Sequence, residues 1–357
     1  MKEIIFFEIR KILKAKKNIV FLACLLLIIL VIVLKFNNYN NKSLVLEKDQ
    51  CSSEIEILAG DKSKTQLIDL YKKKLDAFEN KTWRERLQAQ IELDKYLLEN
   101  NINEYESLDI VSDRIQKNKE LLKDGIEPIN EYYDMSSYNF LVIFGKNIFP
   151  VFFIVLIFLI SSDIVSSERQ EGTFKFMLIQ PYSREKIMVS KIIAAAAITI
   201  AALLLILLFG FFILGAVNGF GNPLYPMKFY DLASKSYKFI GIKKFDFALT
   251  GMNFILVLFL TSLGVLISNV FKDSLSSVSF ALILDVMIFM INIRSIITYK
   301  LMYLNPFSYI SSFNILSGTF INCTSRLNIK YFFIVIISCT IFNFILSIVL
   351  FSKKDIT

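Results

Sequence analysis

The stretch IVFLACLLLIILVIVL, residues 19–34, decides the fold class of this chain. It is an uninterrupted apolar run flanked by Lys16, Lys17 and Lys35. A helix of this length, with lysines that extend their charged ends to the interfaces, can cross a bilayer. A cleaved signal peptide is the competing interpretation. The residues after the run offer no small-residue cleavage site, which favours a retained membrane anchor.

Further apolar stretches predict five more membrane spans. They lie around 144–165, 192–217, 252–270, 275–293 and 331–351. Each carries almost no charge over roughly 18–26 residues, the length that a bilayer-spanning helix needs. Of the 357 residues, 55% are hydrophobic, above the roughly 45–50% typical of soluble domains. We therefore expect an all-α integral membrane protein with six transmembrane helices, the first at 18–36 and the others within 140–357.

The sequence contains no histidine, which excludes several classes of chemistry. Imidazole general bases, histidine-containing triads and histidine-ligated zinc or haem are ruled out. A Gly-x-x-x-x-Gly-Lys-Ser/Thr phosphate loop is absent too, so the chain has no ATPase motif of its own. The net charge is +8, but the cations cluster at span ends, where anionic lipids suffice as partners. We expect membrane lipids as partners, no nucleic acid, no metal and no enzymatic activity.

Residues 37–139 form a polar segment within this otherwise lipid-embedded chain. They hold 15 Lys/Arg and 21 Asp/Glu, a net charge of −6, against +14 for the remainder. Apolar residues recur at helical spacing, as at Trp83 and Leu87, and Gly60, Asn100–Asn101 and Gly125 mark breaks. This predicts a helical extracellular domain between spans one and two. A spacer, a docking surface and a substrate gate all remain open as its role.

The distribution of basic residues predicts the orientation. With both termini in the cytoplasm, 14 Lys/Arg near the span ends face inward and nine lie in the two short outer segments. The lysine-rich segment 228–244 weakens this bias. Before the first span, residues 1–17 place Ile5, Ile9 and Ile12 on one helical face and Arg10 on the other. This pattern predicts an amphipathic interfacial helix, with a plain extension of span one as the alternative.

The connection between spans two and three, residues 161–191, contains the most specific motif. It reads SERQEGT at 167–173 and MLIQPYSR at 177–184, followed by Ile187 and Lys191. This resembles the loop of ABC-2 type transporter permeases, in which an acidic turn with Gly-Thr, an apolar helix, a Ser-Arg pair and a lysine link helices two and three. The six-span layout, the N-terminal helix and Asn-Pro-Phe at 305–307 extend the resemblance.

The resemblance implies that this connection carries a coupling helix that docks on a separate ATP-hydrolysing subunit. Gly172 permits a tight break, and Thr173 can cap the next helix so that Phe174 enters a partner groove. An ordinary juxtamembrane loop in contact with phospholipid is the alternative. ATP and Mg²⁺ would bind to the partner, and this chain would carry no cofactor. The candidate coupling residues are Glu168, Arg169, Glu171, Gly172, Thr173, Phe174, Arg184 and Lys191.

Polar residues inside the predicted spans form a second candidate site. Asp285 and Asn292 lie in span five, and Asn343 and Ser347 lie in span six. An unpaired carboxylate in lipid is costly, so Asp285 should face protein or water. These residues could line a substrate path. Interhelical hydrogen bonding that holds the bundle together is the alternative, and we weigh it more heavily.

These observations together predict the permease subunit of an ABC exporter in a bacterial cell membrane. It would work as a homodimer or with a related permease, and export a hydrophobic or cationic substrate such as a peptide, drug or lipid. Self-protection against an antimicrobial peptide is our first expectation for its role. A sensor or adhesion protein with a helical ligand-binding domain and an ion exporter acting through Asp285 are the alternatives.

Overall fold

The computed structural model describes residues 1–59, 64–80, 82–102, 107–173, 182–294, 302–319 and 327–353. Within them the chain is mostly helical, with one short hairpin. The helices are α1 (Lys2–Lys14), α2 (Lys16–Leu58), α3 (Thr65–Asn80), α4 (Trp83–Glu99), α5 (Leu108–Asp124), α6 (Ser137–Ile143), a π-helical segment (Phe144–Phe153), α7 (Ile154–Ser161), α8 (Ser166–Gln170), α9 (Arg184–Asn218), α10 (Ile242–Val270), α11 (Ser274–Arg294), α12 (Ser312–Leu316) and α13 (Ile329–Ser352). Two 3₁₀ turns, Met302–Leu304 and Pro306–Tyr309, precede α12.

Five helical stretches are long and apolar enough to cross a membrane. They are Lys16–Leu58, Ser137–Gln170, Arg184–Asn218, Ile242–Val270 and Ile329–Ser352, which coincide with predicted spans one to four and six. Predicted span five falls on α11, whose apolar stretch Ser274–Ile288 is shorter among the residues described. The prediction of a helical membrane protein is confirmed for five spans, and the sixth stays a prediction.

The helix α2 does not end where the first predicted span ends. It continues for 43 residues from Lys16 to Leu58, a length of about 65 Å at about 1.5 Å per residue. The predicted boundary at residues 36 and 37 therefore marks a change of composition and not a break in structure. No Gly or Pro occurs between 36 and 58, so nothing in the sequence interrupts the helix there.

The polar segment folds as the predicted helical domain, built from the second half of α2 with α3, α4 and α5. Its core contains Cys51 and Leu58 of α2, Leu67 of α3 and Leu93 of α4. Two of the predicted breaks are confirmed. The positive φ of Asn101, 53°, follows α4, and Gly125 ends α5 in the left-handed conformation with φ 65°. Gly60 lies outside the described residues.

A β-hairpin between α9 and α10 departs from the all-α prediction. Its strands β1 (Pro226–Asp231) and β2 (Ser236–Gly241) pair antiparallel, with Phe229 opposite Lys238. In β2 the half-buried Tyr237 and Phe239 flank the exposed Lys238, a pattern of period two that suits a half-buried strand. The lysines of this segment were interpreted above only as orientation signals, so the hairpin was not predicted.

The membrane helices form one bundle around α10, which packs against α7, α9, α11 and α13. We call the end of the bundle that carries connection 161–191 the loop end, and the opposite end, with the helical domain and the hairpin, the domain end. The N-terminal helix α1 packs against α9 at the loop end. Its buried stripe is Ile4, Glu8 and Ile12, so a glutamate lies in the middle of the face that contacts protein.

Candidate functional site

The connection 161–191 contains a short exposed turn at the end of α8. We call this turn, residues Gln170–Thr173, the tip. All four residues of the tip are exposed. Gly172 has a φ of +71°, a conformation that glycine adopts without the strain a side chain would bring. The Thr173 hydroxyl donates back to the Glu168 carbonyl at 3.2 Å. Phe174 and the helix predicted to follow Thr173 lie outside the described residues.

A buried ion network lies directly beneath the tip. Lys191 of α9 is fully buried, and its Nζ donates to Glu8 Oε1 of α1 at 2.8 Å and to Glu168 Oε1 of α8 at 2.6 Å. Lys11 of α1 donates to the same Glu168 oxygen at 2.5 Å. Two cations and two carboxylates thus alternate and balance. Breaking such a network leaves an uncompensated buried charge, which is strongly destabilising.

Arg169 ties the base of the tip to the end of α10. Its guanidinium donates to the carbonyl oxygens of Asn269 and Phe271 and to Asn269 Oδ1, each at 2.9 Å. The last carbonyls of a helix lack intrahelical donors. The planar arginine fork supplies several donors in a fixed geometry, so Arg169 satisfies these carbonyls and holds α8 against α10.

Further contacts join the remaining helix ends at the loop end. Arg184, at the start of α9, donates to the Ser352 carbonyl at 3.1 Å, close to the end of α13. Lys17, in the first turn of α2, forms an ion pair with the buried Asp163 between α7 and α8. Ser274 of α11 donates to the same aspartate at 3.3 Å. The loop end is therefore a platform in which polar contacts connect every membrane helix.

The predicted coupling residues divide into two groups. Glu171, Gly172 and Thr173 are exposed at the tip, where a partner can reach them. The other described members make contacts within the chain, and their group consists of Glu168, Arg169, Arg184 and Lys191. These four residues therefore join the helix ends from which the tip projects.

Sequence reasoning missed the partners of this second group. Glu8 contacts Lys191, Lys11 contacts Glu168, and Asn269 contacts Arg169, and none of the three was predicted as a coupling residue. Glu8 had a signal, since it falls between Ile4 and Ile12 on one helical stripe. A charged residue on an apolar face requires a buried partner of opposite charge. The partner itself, 183 positions away, could not be identified from spacing.

The second candidate site is only partly assembled. Asn343 donates to Ser262 Oγ at 3.5 Å, and Asn269 donates to the Ser347 carbonyl at 2.9 Å, both across the interface of α10 and α13. Asp285 is buried on α11 at 7% exposure. Within the described residues, no hydrogen bond joins Asp285 to either side chain. The side chain of Asn292 lies outside the described part of the chain.

Apolar helices long enough to cross a membrane, with a polar platform and an exposed tip at one end, define a multi-pass membrane protein. The family model of the ABC-2 family transporter protein matches residues 3–356. The chain therefore belongs to this family, whose members are membrane subunits of ABC transporters without an ATPase of their own. No curated protein and no solved structure matches the chain significantly.

Proposed function

We propose that this chain is the permease subunit of an ATP-driven exporter and that its ATPase docks on the tip. The observation that carries the proposal is the contrast between the exposed tip and its buried base. Glu168 is held to α1 and α9 through Lys191, and Arg169 is held to α10. A force applied at Glu171 or Gly172 would therefore pass to at least three helices. An ordinary lipid-contacting loop has no need for such support.

In this proposal the loop end faces the cytoplasm of a bacterial cell, with both termini inside. ATP and Mg²⁺ bind to the ATPase subunits, which close and move the tips of two permeases. The second permease is another copy of this chain or a related one. The interfacial helix α1 supports the arrangement, because Phe6, Phe7 and Leu13 are more than half exposed while its opposite stripe is buried. Such exposed apolar side chains suit the headgroup layer.

The proposed substrate is hydrophobic or cationic, and Asp285 with Asn292, Asn343 and Ser347 is the proposed path. The burial of Asp285 on α11 supports a functional role for this carboxylate, because an isolated carboxylate within a membrane is costly. Efflux of a cationic dye from cells that express the transporter tests this path. Asp285→Asn should reduce export while the protein remains in the membrane. Unchanged export would remove both the path and the ion-exporter alternative.

Site-specific photo-crosslinking tests the docking site. A photoreactive amino acid at Glu171 should crosslink to a protein that carries both a phosphate loop and an ABC signature, identified by mass spectrometry. The matched control places the same group at Glu56, an exposed glutamate of the helical domain, and should give no such adduct. Equal crosslinking of an ATPase from both positions would contradict the proposal. So would the absence of any ATPase adduct from Glu171.

A further inference from the structure

We propose that the large cavity at the domain end is a binding chamber for a cationic amphipathic peptide. The inference deepens the proposed function and rests on it, because it names the substrate class of the same transporter. Binding in the chamber itself requires no nucleotide and no ATPase, so it can be tested separately.

The chamber lies between the helical domain and the membrane helices. Its volume is about 1170 Å³, and its walls come from the second half of α2, from α3, α4 and α5, from the hairpin and from residues 313–319. Pockets for drug-sized ligands have volumes of roughly 300–1,000 Å³. The chamber is therefore large enough for a short peptide. Lys146, from the π-helical segment of the second span, lines it as well.

The charges that face the chamber are unevenly paired. Three of its bases have carboxylate partners: Lys117 pairs with Glu131, Lys228 with Asp113, and Arg114 with Asp94. Burial lowers the pKa of Lys117, but Glu131 and Tyr225 together raise this pKa above the ordinary value. Lys117 is therefore charged, and Glu131 already has a cationic partner. Within the described part of the chain, the chamber-lining bases that form no ion pair are Lys74, Arg86 and Lys146, and Lys74 interacts with the Cys51 thiol.

Within the described residues, more acidic than basic side chains face the chamber without an ion-pair partner. Among the described residues, no ion pair is formed by the chamber-lining Glu47, Glu54, Asp109 or Glu127. The Oε2 atom of Glu54 is buried and accepts no hydrogen bond within that part of the chain. Lys146 lies between the rings of Tyr132 and Phe313, 4.8 and 4.9 Å from their centroids, which partly shields its charge. Among the described residues, the chamber-lining acids without an ion pair therefore outnumber the bases without one, which leaves an excess of acceptors for cationic hydrogen-bond donors.

The chamber also offers apolar contacts at separate points. Leu44, Ile110 and Tyr132 line it, and each is more than half exposed. They come from three separate elements, α2, α5 and the segment before α6. The phosphate of a lipid would meet the carboxylates of the wall. A peptide that alternates cationic and apolar side chains matches both features of the wall.

Binding to the purified full-length chain in nanodiscs, without nucleotide, tests the inference. The probe is a short fluorescent peptide of alternating Lys and Leu, followed by anisotropy. Glu47→Gln with Glu54→Gln removes two carboxylates from the chamber side of α2 and should weaken binding about tenfold, if each contact contributes as partly exposed ion pairs do. Added salt should weaken binding to the unaltered chain more than to this variant.

The matched control uses the same helix and the same change of charge. Asp49→Asn with Glu56→Gln removes two exposed acids that do not line the chamber and should leave affinity nearly unchanged. Fluorescence of Trp83, the single tryptophan, reports whether each variant keeps its helical domain folded. Equal weakening by both pairs would show general attraction to an acidic surface and overturn the inference.

Two further results would also overturn it. One is equal binding of an Asp–Leu peptide, and the other is displacement of the probe by phosphatidylglycerol vesicles with no effect of the Glu47 and Glu54 changes. Crosslinking from Glu171 to the ATPase is measured on the same variants. Lost peptide binding with intact crosslinking separates a failure of the chamber from a failure of the permease assignment.

Discussion

The two ends of the bundle differ in how much of their charge is paired and buried. At the loop end, Lys191 is fully buried and Glu168 is 5% exposed, and the network they share with Glu8 and Lys11 is electrically balanced. At the domain end, the ion pair Lys73–Glu92 has both side chains about half exposed, and several carboxylates face the chamber without ion partners among the described residues. Paired buried charges fix geometry, whereas solvated unpaired charges stay available to a ligand.

Removing the central cation of the loop end should have the largest effect. Lys191→Met leaves Glu8 and Glu168 buried without their shared donor, which should cost about 3–5 kcal/mol of unfolding free energy. Denaturant titration in detergent micelles, followed by circular dichroism, measures the loss. A loss below about 1 kcal/mol would place the network in the class of surface ion pairs and remove the contrast between the two ends.

A compensated variant serves as its control. Adding Glu8→Gln and Glu168→Gln to Lys191→Met removes the charges that were stranded. Replacement of a whole buried network is often nearly neutral, so most of the lost stability should return. Lys11 is 39% exposed and can be solvated alone. If stability does not return, the shape of the lysine side chain, and not its charge, is what the loop end requires.

Two glycines of α10 should also distinguish the loop end from the domain end, with an effect on stability of intermediate size. A Cβ added at Gly264, toward the loop end, would overlap the Ser161 hydroxyl of α7, whereas one at Gly251, toward the domain end, meets nothing within 4 Å. Gly264→Ala should therefore cost about 1–3 kcal/mol through overpacking. Gly251→Ala should be neutral or slightly stabilising. Thermal unfolding of the two variants in the same detergent compares them directly.

An ion pair at the surface of the helical domain should respond weakly. Lys73 and Glu92 connect α3 to α4, and both side chains are about half exposed. Lys73→Met should cost no more than about 1 kcal/mol, because water solvates the remaining glutamate. The midpoint of thermal unfolding at low and high salt measures this. A loss as large as that of Lys191→Met would mean that charge is structural at both ends.

The smallest effect concerns the pH response of the hairpin. The hydrogen bond from Lys238, with donors from Ala233 and Ser234, lowers the pKa of Asp231 from 3.8 to about 2. A carboxyl with a depressed folded-state pKa stabilises the fold above its unfolded value, and this contribution disappears as the pH falls from about 4 to about 2. Lys238→Met should shift the pKa back toward 3.8, measured by NMR of selectively labelled aspartate. An unshifted pKa of Asp231 would assign its lowering to the donors from Ala233 and Ser234.

Hydropathy predicted the parts of this fold that depend on composition alone. Five of the spans, the helical domain and the breaks at Asn101 and Gly125 follow from apolar runs and from residues that tolerate left-handed backbone. The sequence could not show that α2 continues through residue 37, because a change from apolar to polar residues leaves helix propensity intact. The hairpin was missed because its two short strands lie beside longer and stronger helical signals.

The candidate site was predictable in location and not in contacts. The motif around Gly172 located the tip, whose exposure agrees with docking, but Lys191 was assigned to a partner interface and lies fully buried. Its contacts with Glu8 and Glu168 depend on how three helices cross, which local sequence does not encode. Asn343 and Ser347 were predicted to share a path with Asp285, yet their hydrogen bonds connect α13 to α10.

The uninterrupted helix α2 has a mechanical consequence. Near one end Lys17 is fastened to Asp163 beside the tip, and toward the other end Leu44, Glu47 and Glu54 form a wall of the chamber. With no glycine or proline in its polar half to act as a hinge, a tilt at the first turn must swing that wall sideways unless the rod bends. Movement of the bundle at the loop end would then open or close the chamber at the domain end, because both belong to the same helix.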